Sequence, residues 1–270
     1  MKKVSGLYSY PIKSTGTQSH KTANVNTFGL EGDREWAIID AQDKCVTSRE
    51  HPKLMHLNCC DDSEYLIINY KNEEIAKIER SDFEQGAQID FNVHTYSAHG
   101  RTSSAHPANE WLGKFINTEC QLVLLDNERQ RPVLSKHGGS PKDIVGFSDQ
   151  APILIISEAS LTEVNSKLEV KIEMNRFRPN IVISNCEAFE EDTWKEIKIG
   201  GIRLRIIQAC ERCVLITIDP TTLVKHTRAE PLTTLSKYRI GPRGGIIFGV
   251  HAVPITEGTI NLEDPLEVIK

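Results

Sequence analysis

The run "QACERCVLITIDP", Gln208 to Pro220, sets Cys210 and Cys213 three positions apart with only Glu211 and Arg212 between them. Thiols at that spacing could be half of a zinc site, a redox pair, or one working thiolate beside a bystander. Structural zinc takes four ligands, usually from two spaced pairs. No second Cys-x-x-Cys occurs, and His226 and His251 lack zinc-ligand spacing from each other. A thioredoxin-like dithiol lies at a strand-to-helix junction, whereas "VLITIDP" has the pattern of a strand. Two buried core cysteines are the plain alternative. Arg212 speaks against it for Cys213, because a neighbouring cation favours the thiolate, the form that binds metal or attacks.

A second set of residues could hold an anion. "YPIKSTG" presents Lys13 and Ser14 just after a proline, and "GLEGDREWAIID" presents Asp33 and Arg34 at the mouth of a strand. "NRFRPNIVIS" presents Arg176, Arg178 and Asn180 at the start of another, with Pro179 pushing Arg178 toward extended geometry. Arginine meets phosphate oxygens in pairs and lysine supplies a point charge, so together they suit a phosphorylated ligand. Singly, each reads as readily as a solvated strand end.

The elements that must position these groups are mostly strands. "EYLIINY" and "NEEIAKIE" flank a Lys-Asn turn, and "IKIGGIRLRII" reads as a hairpin about Gly200-Gly201 whose second strand runs into Cys210. "APILIISEAS" reads as a strand feeding a helix, with Ser160 and Glu163 as a capping box and Leu161, Val164 and Leu168 as its apolar stripe. "HPANEWLGKFI" predicts a second helix, Pro107 in its first turn and Trp111, Leu112, Phe115 and Ile116 facing inward. "GTINLEDPLEVI" predicts a closing strand pair, and the polar stretch 127–143 a linker or surface loop. The fold class is therefore mostly β with a few helices, α+β or barrel-like.

Bulk composition narrows the partners. The chain has 270 residues, 39% hydrophobic and 26% charged, with a net charge of -5, which provides no field for nucleic acid or an acidic membrane. No run approaches the roughly 20 apolar residues of a membrane span, and the start has no signal-peptide core. These features are those of a cytoplasmic protein. Seven cysteines, an odd number scattered along the chain, do not form a secreted disulfide framework. Cys59 and Cys60 would point to opposite faces of a strand.

Taken together, "YPIKS", "GDREWAIID", "TSRE", "FSDQAPILIISEASL", "NRFRPNIVI", "CERCVLITIDPTT" and "AEPLTTLSKYR" occur in an order and spacing that resembles the MOSC-domain family. The likeness includes the N-terminal β-barrel module found in some members. It is similar to the branch that holds the mitochondrial amidoxime-reducing component and its bacterial relatives. The resemblance implies an N-terminal module over 1–125 and a MOSC domain over 126–270. It also implies a molybdenum–molybdopterin (pyranopterin) cofactor with Cys213 as the metal ligand and catalytic centre. A soft thiolate suits a sulfur-rich metal centre. Lys13, Ser14, Arg34, Asp149, Arg178 and Asn180 are implied as cofactor contacts, and Cys210 as structural. Gln150 and Ala151 stand where relatives have small hydroxylated residues, and Glu263 where a glycine is usual.

The activity implied is reduction of small N-hydroxylated substrates: amidoximes, hydroxylamines and N-hydroxylated base analogues. With no four-cysteine cluster pattern in the chain, electrons would come from a separate reductase or carrier. A molybdenum-cofactor carrier or sulfur-transfer protein is the alternative. Absence of a pyridoxal-phosphate desulfurase domain argues against a complete sulfurase.

Overall fold

The computed structural model describes residues 1–93 and 96–270. Among them the largest sheet has eight strands, most of them antiparallel. Within it lie Ile153–Ser157 and Ile181–Ser184, two wholly buried runs rich in β-branched residues that pair in parallel, Ile155 opposite Ile181. Parallel neighbours need a crossover, and it contains the helix Glu158–Asn165. On one side of this pair lies Lys3–Ser9, antiparallel to Ile181–Ser184 with Leu7 opposite Ile181. On the other come Ile247–Pro254, then Ile202–Glu211, Glu196–Ile199 and Leu266–Val268. The first strand of the chain thus sits in the sheet of its last third.

The N-terminal half adds a four-stranded sheet, ordered Trp36–Asp40, Cys120–Leu125, Tyr96–Thr102 and Ala87–Val93, and a meander of Asn58–Asp61, Tyr65–Tyr70 and Glu73–Glu79. The helix Pro107–Ile116 buries Leu112 and Ile116 in the core between them, while Trp111 and Phe115 are only half-covered. Trp36 meets Phe83 edge-on at 5.0 Å between ring centres. Arg80 is held here by Glu35 at 2.7 Å and Asp61 at 2.5 Å, and Trp36 Nε1 donates to the same Asp61 oxygen at 2.8 Å. This ion triad clamps the strand mouth that carries Arg34.

Most expected elements form, and the differences have local causes. The hairpin is present, Ile199 opposite Ile202, and only Gly200 takes a left-handed conformation, at φ +54°. The helix after Ile153–Ser157 is capped by Ser157, whose Oγ accepts from Ser160 N at 3.1 Å. Ser160 is therefore not the cap: it lies one turn inside, fully buried, and its hydroxyl donates to Glu191 at 2.7 Å. "VLIT" is a 3-10 turn, not a strand, closed by Thr217 Oγ1 donating to Val214 O at 2.7 Å. The two tail strands do not pair with each other. Gly258–Asn261 joins Thr22–Asn26 and Leu266–Val268 joins Glu196–Ile199, because the turn between them wraps Val4: Glu263 N donates to Val4 O at 2.9 Å and Val4 N to Asp264 O at 3.0 Å. Glu263 is left-handed there, φ +72°, a conformation that suits glycine. The 127–143 stretch is anchored rather than a bare linker: Arg205 donates to Gly138 O at 3.1 Å and pairs with Asp143.

Candidate functional site

Strand Ile202–Glu211 delivers the cysteines. A register shift between Ala209 and Glu211 bends the chain out of the sheet, so that Cys210 stays buried while Cys213 emerges exposed in a cleft of about 190 Å³. Arg212 does not serve Cys213. Its Nη1 donates to Cys210 Sγ at 3.0 Å and its Nη2 to Phe177 O at 2.6 Å. Burial nevertheless dominates at Cys210 and pushes its thiol pKa up. The cation beside Cys213 is Arg49, whose Nη2 donates to the sulfur at 3.4 Å and to Asp149 Oδ2 at 3.2 Å. Asp149 Oδ1 in turn pairs with Lys13. Arg49 stands in the "TSRE" block of the sequence but was not among the expected site residues; that block was the signal available for it.

All seven expected residues line this one cleft: Lys13, Ser14, Arg34, Asp149, Arg178, Asn180 and Cys213. Lys13 and Ser14 reach it on a tight turn, in which Thr15 N donates to Ile12 O at 3.1 Å and Gly16 N to Leu57 O at 2.9 Å. A Cβ on Gly16 would sit 2.8 Å from that carbonyl oxygen. Arg34 is fixed by Asp33 at 2.6 Å and lies 4.4 Å from the Tyr10 ring centre. Arg178 lies 4.0 Å from the same ring, and its Nη1 donates to Thr15 O at 2.6 Å. Stacking on one aromatic lets two guanidinium groups lie near each other.

Three of these residues have left-handed backbones, Ser14 at φ +75°, Arg34 at +51° and Arg178 at +57°. Arg178 is thus not extended as its place before Pro179 suggests. It ends the 3-10 turn Met174–Phe177, and its contacts with Tyr10 and Thr15 override the pre-proline preference. Such conformations cost of order 1–3 kcal/mol each and cluster where a ligand is held. Asn180 differs from the rest: its Oδ1 accepts from Leu154 N at 3.1 Å and its Nδ2 donates to Tyr8 O at 3.2 Å, so it locks the strands that form the floor.

The cleft is cationic in composition, with Lys13, Arg34, Arg49, Arg176, Arg178 and Arg212 against Asp149 and Glu211. Burial lowers the Arg178 pKa to about 10, which still leaves it charged at neutral pH. Its Nη2 is buried without a hydrogen-bond partner, a donor available to an anionic ligand. Gln150 and Ala151 line the cleft too. Among the described residues, no three or more His, Cys, Asp or Glu side chains converge as metal ligands, so Cys210 and Cys213 have no four-ligand zinc set around them. A single exposed thiol met by Arg49, in a cleft lined by further guanidinium groups, fits a metal whose other ligands arrive on an anionic cofactor.

Two family profiles match the chain: the MOSC N-terminal beta barrel domain over residues 1–119 and the MOSC domain over 142–267. The chain belongs to the MOSC-domain family, whose members bind molybdenum cofactor. Among its relatives is mitochondrial amidoxime-reducing component 1 of Mus musculus, 35% identical over 98% of this chain and 82% of that protein. The Homo sapiens protein of the same name is 34% identical with the same coverage. Mitochondrial amidoxime reducing component 2 of Bos taurus is 32% identical over 97% of this chain and 82% of its own length. Among the described residues of this chain, no helix is long and apolar enough to cross a membrane.

Proposed function

We propose that this protein is a cytoplasmic molybdenum-cofactor oxidoreductase that reduces N-hydroxylated compounds with electrons from a separate reductase or carrier. The observation that carries the reading is the exposed Cys213 sulfur, held by Arg49 in a cleft whose other walls supply cations to an anionic cofactor. Cys213 would ligate the metal; Lys13, Ser14, Arg34 and Arg178 would bind the cofactor's phosphate and pterin, with Asn180 holding the floor. Asp149 pairs with both Lys13 and Arg49, and Arg49 meets the thiol. When bound, the molybdenum cofactor would supply a two-electron couple. The reaction balances as R–NH–OH plus two electrons and two protons to R–NH₂ and water.

The contacts come from both sides of the proposed division, Lys13, Arg34 and Arg49 from 1–125 and Asp149, Arg178 and Cys213 from 126–270. A cofactor held by both parts binds only the folded chain. At 100 times its dissociation constant such a ligand adds about 2.7 kcal/mol, so loading is expected to raise the melting temperature by about 5–10 °C. Calorimetry of loaded and cofactor-free protein checks this, and equal melting temperatures would remove the cofactor from the cleft. Membership of the family also suits a carrier or sulfur-transfer protein. Benzamidoxime separates the two: the metal-bound enzyme consumes a reduced electron donor when given it, while a carrier holds its cofactor and turns nothing over.

A further inference from the structure

A ridge of cations stands outside the cleft, against the strand that delivers Cys213. The turn Ser135–His137 is bound to that strand by Arg205, which donates to Gly138 O at 3.1 Å and pairs with Asp143. A hairpin closed by Ile240 opposite Ile246 lies along the chain just before Cys213: Ile247 stands opposite Glu211, and Arg212 N donates to Ile246 O at 2.7 Å. Arg243, in the turn of this hairpin, joins the two parts. Its Nε donates to Glu211 Oε1 at 2.9 Å and its Nη1 to Lys136 O at 2.7 Å. Glu211 is two residues from Cys213, at most about 7.6 Å between Cα atoms.

Lys136, Lys142, Arg205 and Arg243 stand here with Asp143 and Glu211, four cations against two carboxylates in a chain whose net charge is -5. None of the four cations is among the residues lining the cleft, so a cofactor bound there leaves their charge in place. Lys136 and Lys142 are exposed, and among the described residues neither has an ion-pair partner. Apolar surface lies beside them: Ile240 on the hairpin is 54% exposed, and Val214, next after Cys213, is 38% exposed. Apolar contact bordered by charge is the make-up of a protein interface. Cations held at one edge of a site also steer an oppositely charged partner to it.

We infer that this ridge is the docking surface for an acidic electron-carrier protein, which it seats at the edge of the cleft beside Cys213. This rests on the reductase reading above. A carrier that gives one electron per encounter docks twice for each substrate molecule. Two carriers are oxidised, and the N-hydroxylated compound takes two electrons and two protons to become the amine and water.

The test uses cofactor-loaded protein, benzamidoxime and two electron donors. One is flavodoxin hydroquinone, a small acidic protein; the other is reduced methyl viologen, a small cation with no use for a basic surface. The flavodoxin kcat/KM is expected to fall about tenfold or more between about 20 and 200 mM salt, as screening weakens the attraction. The double variant Lys136→Glu/Lys142→Glu should lose about tenfold or more of it at the lower salt. Its viologen-driven rate should stay within about twofold of the parent, which reports that fold and cofactor are intact. A flavodoxin rate that salt does not lower, or that the double substitution leaves unchanged, would overturn the ridge alone. So would an equal loss with viologen, or loaded protein that works with viologen and takes nothing from flavodoxin. Loaded protein that reduces benzamidoxime with neither donor would overturn the ridge and the reductase reading together.

Discussion

Cys213→Ser is expected to hold less than about a tenth of the molybdenum of its parent when both are made in a host that supplies the cofactor. A serine hydroxyl is a hard, protonated oxygen at neutral pH and a poor substitute for a soft thiolate. Because Cys213 is exposed and Arg49 keeps its bond to Asp149, the cofactor-free variant should melt within about 0.5 kcal/mol of the cofactor-free parent. Cys210→Ser should behave in the opposite way. That thiol is buried against Arg212, so the change perturbs the fold but leaves the metal ligand intact. Elemental analysis of the three proteins side by side checks this, and equal metal in Cys213→Ser and its parent would sink the assignment of Cys213.

Arg80→Met is expected to destabilise the fold by about 3–5 kcal/mol at neutral pH, the usual cost of stripping the partner from a buried ion pair. Asp61 has 1% of its side chain exposed, so its carboxylate cannot turn to solvent, and Glu35 is largely covered at 16%. Burial already raises the Asp61 pKa against the pull of Arg80, and without the guanidinium it would rise further. A carboxyl whose folded pKa exceeds its unfolded one binds its proton more tightly in the native state, so its stability contribution is lost as pH rises through the folded value. The variant should therefore regain part of the deficit as pH is lowered toward that of an ordinary carboxylate. Denaturant titrations at pH 7 and pH 5 measure the effect, and a deficit that grows on acidification would contradict it.

How far the chain could be read in advance depends on the range of each interaction. Strands Ile153–Ser157 and Ile181–Ser184 were legible because a strand buried on both faces needs an unbroken apolar run. The Glu196–Ile199 hairpin was legible because alternation and a Gly-Gly turn are local. The cleft residues were legible only as a set of motifs, since no single one distinguishes a ligand contact from a solvated strand end. Arg212 misled because adjacent residues in extended chain point to opposite faces, whereas residues two apart share one. It therefore meets Cys210, and the cation for Cys213 comes from Arg49, 164 positions away. Arg178 defied the pre-proline rule for the same reason, through contacts with Tyr10 and Thr15 that no local window contains.

The place of Lys3–Ser9 in the large sheet has a consequence for how the molecule is made. Its central partner, Ile181–Ser184, is pinned to it by pairs such as Leu7 with Ile181. At synthesis rates of 5–20 residues per second, the first strand waits about ten to thirty-five seconds before that partner exists. During this interval its buried positions Val4 and Leu7 have no native cover, and the sheet must close by a long-range pairing of the kind that slows folding. Synthesis therefore leaves an apolar strand and its unpaired edge exposed until the MOSC sheet can recruit it, the interval in which such a chain is open to aggregation.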